Sequence, residues 1–480
     1  LVMPSNSVEH PPATLRRGDE VTLTIEKVAD RGKCLAYHNG QVVFVPRTLP
    51  QESVRAAIVK KRKKFAEAKP IDILESSSDR VVPRCTYFDH CGGCSLQHVR
   101  YSRQLVDKYS LVEEAMHHVA DLSDLKILEP IPAPHPYHYR NKMEFSFSRY
   151  RWLTQQEIAS GKKFDTLMAL GLHPSGIFSK VLDLHECHLH SERSHSVVNG
   201  IRTFVQASAW DIWDWRKNEG FLRHLVLRES RHSPDFMVNI VTSYHDTNRN
   251  DDLKTYLQQK YPFVTTVVNT INSTPAQTSF GDHTETIYGT GYLTDQIGDI
   301  VFQIAPDAFF QTNTLQAEKL VETVEHLSNI TSDDHVYDLY CGTGTIALSI
   351  AKHARHVTGI ELIEGAIDNA NHNASLNGIE NCTFIGGDML KLLRPDFFAE
   401  HGNPDIVIVD PPRAGMHPKV AQQVANLPAR KIVYVSCNVQ SQAKDLLILS
   451  KTYRPVVAQP IDLFPQTHHI ENIVLLEKRS

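Results

Sequence analysis

Several short stretches in the last third of the chain carry side chains that could do chemistry together. The first is Asp338-Leu339-Tyr340-Cys341-Gly342-Thr343-Gly344-Thr345, which follows an apolar strand-like run and opens a helix-like one. Glycines at such a junction let the backbone turn tightly and approach a ligand closely. Glu361 ends the next strand-like run, where it could accept hydrogen bonds from ribose hydroxyls. Asp388 follows Phe384-Ile385 and would sit near an adenine. This geometry serves a nicotinamide dinucleotide and S-adenosylmethionine equally.

Two details favour S-adenosylmethionine. Asp338, upstream of the first glycine, could hold a charged aminoacyl group, whereas a nicotinamide fingerprint wants glycines cradling a pyrophosphate. Downstream, Asp410-Pro411-Pro412-Arg413 follows a strand end and looks like the motifs that line methyltransferase pockets. The strand-like run Ile432–Val435 then leads into Ser436-Cys437-Asn438. A lone cysteine is usually a small buried hydrophobe, but a strand end followed by a helix N-terminus favours a thiolate. Beside a methyl donor, a thiolate can add to C6 of a pyrimidine and make C5 nucleophilic. A base must afterwards remove the C5 proton so that the sulfur can leave. Glu471, at the start of the final strand-like run, is the candidate base, with His468 and His469 as rivals.

These residues need elements to position them. From about residue 301, strand-like and helix-like runs alternate: Val336–Tyr340, Thr345–His353, Val357–Ile360, Ile363–Asn377, Ile406–Val409, Val420–Leu427, Ile432–Val435, Gln440–Leu449 and Asn472–Glu477. The repetition implies a doubly wound, Rossmann-like parallel sheet over 301–480, with ligands at the carboxyl ends of its strands. Residues 76–300 read as an antiparallel-leaning α+β domain, with strands at Lys142–Ser148, Leu222–Glu229, Phe236–Val241 and Val264–Asn269. Residues 14–75 read as a small barrel of the oligonucleotide-binding type, preceded by a loose leader over 1–13. From Thr14 to Glu75 there are 13 Lys and Arg against 8 Asp and Glu, densest at Lys60-Lys61-Arg62-Lys63-Lys64. Such a run is either a solvated turn or, on a barrel of this kind, a phosphate contact.

The bulk numbers narrow the classes. A chain of 480 residues exceeds one ordinary core, and 22% charged residues with 41% apolar ones describe a globular protein. No apolar run approaches the ~18–20 residues of a spanning helix, so the expected compartment is the cytoplasm, with no membrane partner. Eight cysteines in such a protein argue for metal or catalysis over a disulfide framework. Cys85, Cys91 and Cys94 cluster, and Cys187 lies apart between His185 and His188. His185, His188, His190 and His195 read as surface or loop histidines.

Taken in order, these stretches resemble the RNA uracil-5-methyltransferases, particularly the branch that modifies 23S ribosomal RNA. The resemblance runs over nearly the whole chain: the TRAM-like barrel, Cys85 with Cys91-Gly-Gly-Cys94 and the distant Cys187, Phe310-Gln311-Thr312-Asn313, Asp338–Thr345, Asp410–Arg413, Ser436–Asn438 and Phe464–Glu471. It implies Cys437 as nucleophile and Glu471 as base. It implies that Gln311, Tyr340, Glu361 and Asp410 contact S-adenosylmethionine, with Thr345 and Asp388 as outer contacts. It further implies a [4Fe–4S] cluster on Cys85, Cys91, Cys94 and Cys187, although zinc suits the same donors. The expected partner is structured RNA with the target uridine splayed into the pocket, on a monomeric protein. One position departs from the family pattern: Val439 stands where a proline usually follows Ser-Cys-Asn. Ribosomal RNA is favoured over the transfer-RNA T-loop because the bacterial T-loop enzymes lack both barrel and cysteine group. Rival readings are a cytosine-C5 or exocyclic-amine methyltransferase, a non-catalytic iron–sulfur RNA-binding protein, and a nicotinamide dehydrogenase.

Overall fold

The computed structural model describes residues 15–29 and 32–479; the leader expected over 1–13 lies outside them. The chain divides into two units. One holds the barrel with residues 95–107 and 466–468, and the other holds the remainder.

In the first unit, strands Glu20–Val28, Lys33–His38, Gln41–Pro46, Phe65–Glu75 and Ser53–Lys61 close in that order into a barrel. Alternate residues point inward, as the period of a strand requires: Leu23 and Ile25, Cys34 and Ala36, Val43 and Val45, Val54, Ala56 and Ile58 fill it. The basic run Lys60–Lys64 is the exposed turn between the last two strands in sequence.

Two sheets make up most of the second unit. The first has eight strands, in the order His283–Tyr288, Thr266–Ile271, Phe236–Thr242, Leu222–Glu229, Lys142–Ser148, Ala169–Leu172, Val181–Asp183 and Arg151–Trp152. It is antiparallel except for two parallel pairs. Met143, Phe145 and Phe147 alternate onto one face, where they pack with Val197, Val198 and Ile201 of helix Glu192–Ser208 and with Leu253 and Leu257 of helix Thr247–Lys260.

The second sheet also has eight strands: Cys382–Gly386, His356–Glu361, His335–Leu339, Ile406–Val409, Lys431–Ser436, Glu471–Lys478, Tyr453–Ile461 and Lys126–Ile127. The first five are mutually parallel and Glu471–Lys478 runs against them. Its strands are apolar on both faces, as a sheet covered on both sides demands. Val336, Ile406, Ile408, Val433 and Val435 pack under the helices at 314–328 and 345–350. The alternating Tyr337, Leu339, Val407, Val409, Ile432 and Tyr434 pack under those at 418–425 and 439–449. Val112, Ala115 and Met116 join the latter layer from far upstream. The parallel order reverses at His335–Leu339, which is the switch point where such sheets bind ligands. Strand Tyr453–Ile461 has no counterpart in the sequence reading; Pro455 and Pro460 interrupt its alternation, and proline marks non-strand until a sheet position is known.

Candidate active site at the carboxyl end of the parallel sheet

The turn after His335–Leu339 begins with Tyr340 at φ 66°, in the left-handed region that a bulky residue avoids. Such strain costs about 1–3 kcal/mol and persists only where neighbours over-determine it. Here the Tyr340 and Cys341 N–H groups both donate to Ile360 O, at 2.9 and 3.1 Å, pinning the turn to the next strand. Gly344, at φ 79°, starts helix Thr345–Ile350; a side chain there would be strained by the backbone and would press on the Phe384 ring at 3.0 Å.

This turn forms one wall of a cleft completed by Gln311, Asp338 and Asp410. Of the six residues expected to hold the cofactor, Gln311, Tyr340, Thr345 and Asp410 line it. Glu361 lies at its edge and holds its turn: its carboxylate accepts from Gly342 N at 3.2 Å, Leu362 N at 2.7 Å and Ile363 N at 3.0 Å. Asp388 is exposed and caps the helix Met389–Leu392 by accepting from Leu390 N, while its charge reaches Tyr340. Gln311 is held by a residue that sequence reasoning missed: Asn141 Nδ2 donates to Gln311 O at 2.8 Å and to Thr314 Oγ1 at 2.9 Å. No signal in the sequence links positions so far apart.

The cleft is acidic and lacks counter-charge. Asp338 is 1% exposed; one carboxylate oxygen accepts from Ala347 N at 3.0 Å and the other, Oδ1, has no partner. Burial, with Asp410 and Glu361 nearby, pushes its carboxyl up to about 8. Burial likewise pushes Asp410 up to about 7. A buried oxygen without a donor costs free energy that a ligand donor would restore. The cleft therefore suits a ligand that brings positive charge and N–H groups.

Beside it stands the thiol. Ser436 pairs with Asn472 in the antiparallel ladder, so Cys437 and Glu471, the residues next to that pair, lie at the same end of the sheet; Glu471 itself pairs with Ile461 on its other side. Asn438 caps the helix Val439–Leu449 by accepting from Gln440 N at 3.2 Å. Val439 takes the first helical position, where proline would also fit, and its side chain packs in the core. The departure from proline thus leaves the helix start in place. Burial first, then Glu471 and Asp410, push the Cys437 thiol up to about 12, and Arg413 opposes them. Glu471, 4% exposed, is raised well above the carboxylate range by burial and then Asp410, again opposed by Arg413. Arg413, named in the sequence only as part of a pocket motif, is given its role by the structure. It closes the Asp410–Arg413 motif, and its guanidinium meets His469 Nδ1 at 3.1 Å. Of the rival bases, His469 is engaged there, and His468 meets the Ser95 hydroxyl at 3.4 Å.

The four cysteines behave differently. Cys85 senses the charge of Cys187, and the Tyr137 phenol senses Cys94 and Cys85, so they share a neighbourhood. Cys91, however, packs against Leu182 and Leu184, and Cys187 against the central core. Among the described residues no group of three His, Cys, Asp or Glu side chains is placed to hold a metal ion. The expected cluster therefore has suitable donors but no assembled ligand set.

An α/β sheet with a half-buried thiol and a buried carboxyl at its ligand end, on a chain that also carries a small closed barrel, is the architecture to compare with known proteins. Residues 283–392 and 395–479 match the family described as tRNA (Uracil-5-)-methyltransferase, and residues 15–71 match the TRAM domain. An uncharacterized RNA methyltransferase of Chlorobaculum tepidum is 40% identical over 469 residues, covering 96% of this chain and 97% of its own. Another, from Bacteroides thetaiotaomicron, is 36% identical over 455 residues, covering 94% and 100%. Among solved structures, the tRNA (uracil-54, C5)-methyltransferase of Pyrococcus abyssi, in complex with S-adenosyl-L-homocysteine, superposes with a TM-score of 0.74 at 26% identity, over 95% of this chain and 100% of that one. The chain belongs to the TRAM-bearing RNA uracil-5-methyltransferase family and is an RNA methyltransferase. No helix among the described residues is long and apolar enough to cross a membrane.

Proposed function

We propose that this protein transfers a methyl group from S-adenosylmethionine to C5 of a uridine in structured RNA, with Cys437 as nucleophile and Glu471 as base. The observation that carries the reading is that Cys437 and Glu471 both adjoin the Ser436–Asn472 pair, at the end of the sheet where Asp410 lines the acidic cleft. The partnerless Asp338 Oδ1 and the unbalanced carboxyls fit a cofactor carrying an ammonium and a sulfonium. When bound, S-adenosylmethionine supplies an electrophilic methyl and a positive charge. Gln311, Tyr340, Glu361 and Asp410 are the residues that would hold it, with Thr345 and Asp388 outside them.

Burial raises the proton affinity of the thiol and both carboxyls, and neighbouring carboxyls add to it at Cys437 and Glu471, so the thiol must first give up its proton to solvent. Positive charge in the cleft favours their ionised forms. The Cys437 sulfur then adds to C6 of the uracil, and the electron pair displaced from C5=C6 makes C5 nucleophilic. Once C5 carries the methyl, Glu471 takes its proton, the C5=C6 double bond re-forms and the sulfur leaves with the pair of the C–S bond. Arg413 steadies the ionised forms of both groups. The cysteine group enters none of these steps.

The substrate class proposed is 23S ribosomal RNA. Transfer RNA is the second reading, favoured by the match to the Pyrococcus abyssi enzyme over 95% of this chain, which shows that a tRNA enzyme has the same architecture. Nucleoside mass spectrometry of rRNA and tRNA from a deletion strain, each incubated with the protein and labelled cofactor, tests both. Label in 5-methyluridine of rRNA supports the proposal, label only in tRNA transfers it to the second reading, and no label in either overturns it.

A further inference from the structure

The edge of the central sheet at Arg151–Trp152 carries a surface that the reaction does not use. Around it the structure gathers aromatic rings and cations. The Arg216 guanidinium lies 4.5 Å from the Tyr150 ring and 5.2 Å from Trp215, and those two rings meet edge-on at 6.1 Å. Lys180 lies 5.6 Å from Trp152, and Arg151 lies 5.4 Å from Phe164. The His173 ring stands 6.1 Å from Phe178 and is tied by Nδ1 to Lys180 O at 2.9 Å. Arg151 N donates to Thr166 O, which brings the loop with Lys162 and Lys163 to the same strand. These groups all lie on or beside the one edge strand.

Its charges are unbalanced. Glu157 is taken by Arg151 at 2.5 Å, Asp183 by Arg202 at 3.0 Å, and Asp214 accepts from the Tyr150 hydroxyl at 2.9 Å. Arg149, Lys162, Lys163, Lys180 and Arg216 are exposed and form no ion pair among the described residues. Charge on an edge strand is a common guard against aggregation, and it would account for the cations alone. It does not account for Phe178 at 84% exposure and Trp215 at 38% beside them, since exposed rings undo that guard. Rings that offer a face, interleaved with unpaired cations, are what a single-stranded nucleic acid needs: bases stack and phosphates pair.

We propose that this edge is a second RNA-binding surface, on which a single-stranded segment of the substrate stacks on Phe178 and Trp215 and sets its phosphates against Arg149, Lys180 and Arg216. The choice of RNA as occupant rests on the family; the binding does not depend on the methyl-transfer reading. The test therefore uses the full chain without cofactor and a labelled single-stranded oligoribonucleotide of about 12 nucleotides. Phe178→Ala with Trp215→Ala should raise Kd at least about fivefold. Lys180→Ala with Arg216→Ala should make the slope of log Kd against log salt shallower by about 0.7 for each phosphate no longer neutralised. Phe178→Tyr should restore binding, since a tyrosine ring stacks equally. Photocrosslinking with 5-iodouridine RNA should place adducts in peptides spanning 173–180 or 211–217. Unchanged Kd and salt slope in folded variants, or adducts confined to other peptides, would overturn the proposal, whatever the methylation assay shows.

Discussion

Two sets of reactive side chains in this molecule have comparable sequence signals and different structural outcomes. Asp338 and Glu471 lie in strands, and Asp410 and Cys437 directly follow two others, so all four converge at one end of the C-terminal sheet. Cys85, Cys91 and Cys94 cluster within ten residues and Cys187 lies apart, and among the described residues they do not close into a ligand set. The first set is placed by ladder register, where a slip of one residue would turn every side chain to the wrong face. The second sits in loops, whose positions no repeating hydrogen-bond pattern dictates. Convergence built on a sheet is a stronger structural finding than spacing along a chain.

The largest effect that would break this contrast is at the thiol. Cys437→Ala should abolish turnover and any covalent RNA adduct while leaving cofactor affinity within about twofold, measured by calorimetry. If Cys437→Ala still turns over, the convergent set is not the reacting set. Next is Glu471→Gln, expected to slow product release by about 10²–10⁴-fold while methylation of C5 proceeds. Single-turnover kinetics separate the two steps.

Asp338→Asn sharpens the electrostatic side. It should weaken S-adenosylmethionine binding at least about tenfold, since a neutral amide replaces the carboxylate facing the cationic cofactor. It should also change stability with pH. The carboxyl is raised in the folded protein, to about 8 for Asp338 and about 7 for Asp410, so folding holds their protons. The resulting stability is complete below about pH 4 and is lost as pH rises through 7 to 8. The cofactor-free protein should therefore melt at lower temperature at pH 8.5 than at pH 6, by roughly 1–3 kcal/mol in unfolding free energy, and Asp338→Asn should remove part of that slope.

The cysteine group offers the opposite test. Cys91→Ser should cost only packing, about 1 kcal/mol, and leave kcat within about twofold. About four irons per chain in protein purified without oxygen, absent when any single cysteine is replaced, would show that the loops do close and that the contrast fails. The smallest effect is expected at Val439→Pro, less than about 1 kcal/mol, because the first helical position has no intrahelical bond to lose. Thermal denaturation checks it.

How much of this was legible in the sequence follows the same division. The strand ends carrying Asp338, Glu361, Asp410 and Cys437 were readable because apolar runs alternate with amphipathic ones and glycines mark the turn. The barrel was readable from the alternation Val21-Leu23-Ile25 and the apolar run Val42–Val45, of which Leu23, Ile25, Val43 and Val45 are buried. Strand Tyr453–Ile461 was not, because its prolines sit where the ladder tolerates a missing donor, a fact visible only once the pairing is known. Nor was the addition of Lys126–Ile127 to the C-terminal sheet, since two residues carry no period. Asn141 and Arg413 show the limit most clearly. Each acts through a partner distant in sequence, Gln311 for one and His469 for the other, and local pattern holds no record of such pairs.

The most direct test of the central claim is to trap the intermediate. Glu471→Gln protein, incubated with substrate RNA and S-adenosylmethionine, should run as a stable protein–RNA complex under denaturing conditions. Nuclease and protease digestion should leave a methylated uridine nucleotide attached to the peptide containing Cys437. A trapped nucleotide on any other residue, or methylated RNA formed with no covalent complex in either this variant or the parent, would contradict the account.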